Sequence, residues 1–115
     1  MATWKLTVRD GSDVSRQGFE DLNSAIEAAA AATDAILAEG PVSRVKAIRD
    51  YEPDQLVAGR IEISGKGLLS PPTAGLDIQG DGSLIGFSGG IGRKRFPTDD
   101  RDEIFDSIRD ALGDG

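Results

Sequence analysis

The chain has 115 residues and a formal net charge of −7, with 13 cationic and 20 acidic side chains. It contains neither histidine nor cysteine. This excludes a histidine general base, thiol catalysis and the ordinary structural zinc sites.

A chain of this length predicts a single domain, residues 1–115. No apolar run approaches the about 18 residues that a membrane-spanning helix needs. The first residues, MATWKLTVRD, lack the basic start and apolar stretch of a signal peptide. A cytoplasmic location is therefore expected.

The first segment, residues 4–9, alternates between apolar and polar side chains. Trp4, Leu6 and Val8 share one face and the polar residues between them share the other, which predicts a half-buried strand. The Asp-Gly pair at Asp10 predicts a turn, and residues 14–18 then return as the second strand of a hairpin.

A helix is predicted from about residue 22, with Asp21 as its N-cap. It should end near Glu39, because Gly40 suits a C-cap and Pro41 cannot continue a helix. Apolar and small side chains recur every three or four residues and predict one buried face: Leu22, Ala25, Ile26, Ala29, Thr33, Ile36 and Leu37.

Two further strands are predicted in the centre of the chain. Residues 42–51 have an irregular apolar pattern, so a bulge or a helix stays open there. Residues 56–64 alternate clearly and predict a strand. Residues 65–74 contain two adjacent prolines, which cannot join a sheet ladder, and are expected to form a loop.

Residues 75–97 are rich in glycine and end near three consecutive cations. Strands at 76–79 and 84–87 flank an Asp-Gly turn, and residues 91–96 predict a last short strand. The glycines fit no dinucleotide-binding fingerprint, phosphate-binding loop or calcium loop, because the spacings fail. A metal site at Glu62, Asp77 and Asp81 is a minor alternative. The prediction is that the protein has no metal and no cofactor.

The final helix is expected after Pro97, with Thr98 or Asp99 as its cap and Gly113 at its end. Its apolar face should comprise Ile104, Phe105, Ile108, Ala111 and Leu112.

The predicted order is ββ-α-ββ-loop-ββ(β)-α. This order indicates an α+β fold in which two amphipathic helices cover an antiparallel sheet of hairpins. The predicted core comprises Trp4, Leu6, Val8, Ile26, Ile36, Ile61, Ile63, Phe105 and Ile108.

Charge is distributed unevenly along the chain. Residues 1–42 carry −4, residues 43–95 carry +2 and residues 96–115 carry −5. Cations in the central sheet either bind an anionic partner, such as nucleic acid, or have no ligand and instead face solvent or pair with the acidic helices. The residues assigned to an anionic ligand are Arg60, Lys66, Arg93, Lys94 and Arg95.

Leu68 and Leu69 lie in the loop of glycine, serine and proline. They either fold back onto the core of their own chain or contact a second copy. We predict a homodimer whose interface includes Leu68 or Leu69, because symmetric dimers are the commonest soluble oligomers.

These patterns predict a small binding or interaction module that associates with itself and has no membrane segment. The alternative is a nucleic-acid-associated protein that uses a basic sheet face. Mimicry of nucleic acid by the acidic side chains is a weaker possibility. An enzyme comes third, with Lys66, Glu62 and Asp77 as the group to test. No catalytic residue is assigned.

Overall fold

A computed structural model describes residues 3–11, 13–39, 57–65, 72–80, 82–89 and 93–113. These residues form one antiparallel sheet of six strands in the order β2-β1-β3-β4-β5-β6, together with two helices. The α+β prediction is confirmed. The elements are β1 (Trp4–Asp10), β2 (Asp13–Phe19), α1 (Leu22–Glu39), β3 (Val57–Gly65), β4 (Thr73–Gln79), β5 (Leu84–Ser88), β6 (Lys94–Arg95) and α2 (Arg101–Gly113).

The first hairpin forms as predicted, with each strand slightly longer than expected. Asp10 pairs with Asp13, and the register continues without a bulge to Trp4 opposite Phe19. Gly11 has a φ of 64°, a left-handed conformation in which glycine meets no steric penalty. The Asp-Gly pair therefore supplies the turn.

The second predicted hairpin also forms, between β4 and β5. The Gln79 N–H donates to the Ser83 carbonyl at 2.8 Å, and Gly82 has a φ of 90°. The predicted start of β4 at residue 76 was wrong, because β4 begins at Thr73. Pro72 lies just before the strand. It has no N–H to donate, and its carbonyl accepts from the Gly65 N–H at 2.8 Å.

The core lies between one face of the sheet and both helices. Seven of the nine predicted core residues are buried, whereas Trp4 and Val8 are half-buried against the cluster. Small residues bring α1 close to the sheet: Ala25 and Ala29 are fully buried, and a side chain added at Gly59 would lie 3.4 Å from Ile36 Cδ1.

The two helices lie side by side on that face. The α1 helix packs on β1, β2 and β3, and α2 packs on β4 and β5. The Arg101 guanidinium joins them by donating to both carboxylate oxygens of Asp34, at 2.7 and 2.8 Å. Among the residues described here, neither helix is long and apolar enough to cross a membrane.

The predicted N-cap of α1 is confirmed, since the Ser24 N–H donates to Asp21 Oδ1 at 2.7 Å. The predicted cap of α2 was wrong. Asp100 is the cap: its Oδ2 accepts from the Glu103 N–H at 3.1 Å, while the Thr98 hydroxyl donates to the Glu103 carboxylate at 3.0 Å. Thr98 thus braces the first turn from outside the cap position.

Ala111 was assigned to the apolar face of α2 and is instead exposed. Ile104, Phe105, Ile108 and Leu112 complete the buried stripe by themselves. The stripe follows the three- and four-residue spacing of a helix that packs along one side only.

Replacement of the corrected cap gives a direct test. Asp100→Ala should lower the free energy of unfolding by about 1 kcal/mol, because the Glu103 N–H loses its acceptor at a helix end. Asp99→Ala is the matched control and should change it by less than about 0.5 kcal/mol. Urea unfolding of both variants measures the difference. Equal losses in the two variants would contradict the assignment of the cap.

Several predictions fall outside the described residues. They are the strand at 42–51, the Gly40–Pro41 helix stop, the Leu68 and Leu69 interface, the position of Lys66, and the metal ligand Asp81.

Candidate anion-binding face

The sheet has a second face, turned away from both helices, and the strand register identifies the side chains on it. Residues directly opposite one another on neighbouring strands share a face. Arg9 lies opposite Arg60, and Arg60 lies opposite Asp77. In the next row, Glu62 lies opposite Gly75, Gly75 opposite Phe87 and Phe87 opposite Arg95. We call this surface the outer face.

The outer face is basic, although the whole chain is acidic. Six cations and two carboxylates of the described residues lie on it. Exposed carboxylates such as Glu27, Asp34 and Asp106 lie on the helices at the opposite side of the molecule. The fold therefore separates charges that the sequence interleaves. The charged side chains of the outer face are Lys5, Arg9, Arg16, Arg60, Arg93 and Arg95, with Glu62 and Asp77.

Phe87 is the centre of a compact polar cluster on this face. Its ring is 3% exposed, and the guanidinium carbon of Arg93 lies 4.3 Å from the ring centroid. The corresponding carbon of Arg60 lies 5.9 Å from the same centroid. Arginine over an aromatic face is a favourable cation–π arrangement. Both cations therefore cover a buried aromatic ring.

Each of these two arginines also has a carboxylate partner. Arg60 donates to both oxygens of Asp77, at 2.5 and 3.1 Å, which is the strong bidentate geometry. The hydrogen bond to Asp77 raises the pKa of Arg60 above its usual value. Arg93 Nη2 lies 3.4 Å from Glu62 Oε2. These four side chains hold one another in place.

The remaining cations of the outer face have no such partners. Lys5, Arg9 and Arg16 are exposed, as is Arg95, and no carboxylate within the described part of the chain pairs with any of them. Arg9 is moreover directly opposite Arg60, and like charges in that position destabilise a sheet. Within the described part of the chain, these four cations are the positive charge of the outer face that no carboxylate compensates.

The residues predicted to bind an anion have different positions. Arg60 and Arg93 meet at Phe87, and Arg95 lies beside that ring on the same face. Lys94 is aligned with Ser88, on the other side of β6, so it is not part of the outer face. Lys66 lies outside the described residues. The anion-binding role of all five stays a prediction.

Sequence reasoning did not include Lys5, Arg9 and Arg16 in the site. They lie in a segment whose total charge is −4, which concealed them. The alternation of β1 already placed Lys5 and Arg9 together on the polar face. Hairpin pairing then adds Arg16, which lies opposite Thr7 on that face. The face pattern was therefore more informative than the segment charge.

Both carboxylates of the outer face are paired with arginines. Asp77 and Glu62, two of the proposed metal ligands, are held by Arg60 and Arg93. Across the residues that the structure describes, no group of three acidic side chains could hold a cation.

No protein-family model, curated protein or solved structure matches this chain.

Proposed function

We propose that the protein is a binding module that takes a nucleic-acid backbone on the outer face of its sheet. The observation that carries the proposal is the group of exposed cations Lys5, Arg9, Arg16 and Arg95, which have no carboxylate partner among the described residues. Lysine and arginine on one face are the electrostatic footprint of phosphate binding.

The net charge of −7 does not oppose this proposal as strongly as it first suggests. A helix with its side chains is about 10 Å across, so carboxylates on the far side of α1 and α2 lie at least that far from the sheet. The Debye length is about 8 Å at physiological ionic strength. Repulsion from the helices is therefore screened more than attraction at the outer face.

The chemistry of the face also indicates the mode of binding. Phe87 is buried beneath arginine side chains, so it offers no open ring on which a base could stack. Long, exposed side chains such as Arg9 and Arg16 can follow phosphates without reading bases. Binding is therefore expected to depend little on sequence and strongly on salt.

A second candidate is self-association through opposite charges. The acidic helices of one copy complement the basic outer face of another, and this charge separation is the observation that favours it. Such a contact joins two different surfaces, so it is heterologous and need not close at a dimer. The dimer through Leu68 or Leu69 is a separate prediction.

Charge neutralisation tests the nucleic-acid proposal. Fluorescence anisotropy of a labelled single-stranded oligonucleotide should show binding at low salt, with the logarithm of affinity falling linearly with the logarithm of salt concentration. The variant Arg9→Gln/Arg16→Gln should bind more weakly, and the slope should decrease in magnitude by about 1.4, since each lost phosphate contact removes about 0.7 for a single strand.

Arg109→Gln is the control, because Arg109 is an exposed cation on α2 and not on the outer face. It should leave the slope unchanged. An absence of binding at low salt, or equal effects of the control and the double variant, would overturn the proposal. Light scattering under the same conditions reports the second candidate: particle mass should fall as salt rises if opposite faces associate.

A further inference from the structure

The two edges of the sheet differ in how they are protected. The β6 edge has only two residues, both cationic, which is a common way to prevent edge pairing. The β2 edge is seven residues long, contains no proline and follows β1 without a bulge. Six of its seven residues are exposed. Alternate N–H and C=O groups of β2 point away from β1, as antiparallel pairing requires.

A cavity opens beside this edge. It has a volume of about 290 Å³ and lies between α1 and the β1–β2 hairpin. Ala32, Ala35 and Ile36 line it from the helix, and the hairpin lines it with Val8, Asp10, Asp13, Val14 and Ser15. Alanine at two positions of α1 leaves the space, because a longer side chain there would fill it. We call the β2 edge together with this cavity the β2 cleft.

The edge and the cavity are arranged to act together. A strand added to β2 would lie about 4.8 Å from it and alternate its side chains between the two faces of the sheet. Side chains on the helix side would then stand beside α1, where the cavity is. This is the geometry of β-strand addition, in which the backbone gives affinity and pockets select alternate side chains.

We propose that the β2 cleft binds an extended segment of a partner polypeptide, with one aliphatic side chain of that segment seated in the cavity. Among the described residues no strand pairs with the N–H and C=O groups of β2 that face away from β1, and these groups match a polypeptide backbone. The helix wall, Ala32, Ala35 and Ile36, is apolar. Asp13 is exposed on the same side of β2 as Ser15, two residues away. Asp13 also lines the cavity, so it favours a lysine or arginine beside the aliphatic anchor.

The composition of β2 argues against a second β2 strand as the occupant. The residues of β2 on the helix side are those opposite Asp10, Val8, Leu6 and Trp4. They are Asp13, Ser15, Gln17 and Phe19, so pairing of two β2 strands would offer no aliphatic side chain to the cavity. This surface is also distinct from the outer face, and the proposal does not depend on nucleic-acid binding.

A random heptapeptide library displayed on phage is the probe, panned against the full chain. We expect enrichment of peptides with aliphatic residues at alternate positions. The enriched peptides should slow amide hydrogen exchange at alternate residues of β2. Ala35→Leu fills the cavity from an exposed helix position and should weaken peptide binding at least about tenfold, or 1.4 kcal/mol.

Ala31→Leu is the matched control, since Ala31 is exposed on the same helix and does not line the cavity. It should leave peptide binding unchanged, and unfolding curves of both variants verify that they fold. The proposal is overturned if no peptide is enriched, if Ala35→Leu binds as well as wild type, or if protection appears away from β2. Protection of β2 without any peptide, at high protein concentration only, would assign the cleft to a second copy and overturn the proposal too.

Discussion

Ile61→Ala is expected to lower the free energy of unfolding by about 2–5 kcal/mol. Ile61 is 1% exposed at the centre of the sheet, where it lies opposite Val8 on one side and Leu76 on the other. The substitution removes buried methyl groups and leaves a cavity that the paired strands cannot close. Urea unfolding with a common slope for both proteins measures the loss.

Val14→Ala is the control for this experiment, because it removes methyl groups from a valine that is 36% exposed on the edge strand. It should change the free energy of unfolding by less than about 1 kcal/mol. A loss at Ile61 no greater than that at Val14 would contradict the register of β3, which places Ile61 toward the helices.

Gly75→Ala is expected to lower the free energy of unfolding by about 3 kcal/mol or more. A Cβ at this position would lie 2.1 Å from the Ile61 carbonyl oxygen and 2.9 Å from Glu62 Cα. Both neighbours are backbone atoms, so no side-chain rotation relieves the overlap and β3 and β4 must separate. The same unfolding measurement tests the prediction.

Gly113→Ala is the matched control, because a Cβ there would meet only Leu22 Cδ2, at 3.7 Å. This is an ordinary contact, and alanine favours a helix more than glycine does. It should leave stability equal or slightly raised. If Gly75→Ala unfolds at the same urea concentration as this control, the close approach of β3 and β4 at Gly75 is wrong.

Elements with a clear period could be predicted from the sequence. The alternation of residues 4–9 and 56–64, and the spacing of apolar residues in both helices, identified the strands, the helices and most of the core. An Asp-Gly pair marked each hairpin turn. These features are local, so the residues that determine them are neighbours in the chain.

Features that depend on partners distant in sequence could not be predicted in this way. β4 extends back to Thr73 because Thr73 pairs with Ser64 of β3, and Pro72, which has no N–H to donate, lies just before the strand. Asp100 caps α2 because its carboxylate lies within reach of a free backbone N–H in the first turn. Thr98, Asp99 and Asp100 all have side chains that can cap a helix, so the sequence did not distinguish them. The pattern of the chain gave no reason to place Arg16 on the same face as Arg60. Only the register of β2, β1 and β3 shows that both side chains point to the outer face.

The outer face divides into two parts with different expected roles. Arg60 and Arg93 are held by Asp77, Glu62 and the Phe87 ring, so their neutralisation should affect stability as well as binding. The exposed cations of β1 and β2 form no ion pair with the other described residues. Their neutralisation should weaken binding without lowering stability, which makes them the better residues for a functional test.

Chemical-shift mapping tests the central proposal most directly. The isotopically labelled protein is titrated with an unlabelled single-stranded oligonucleotide at low salt. The account predicts shifts for Lys5, Arg9, Arg16 and Arg95 on the outer face, reversed by added salt, and unchanged signals for Asp34 and Asp106 on the helices. Shifts confined to the helices, or unchanged signals throughout the titration, would contradict it.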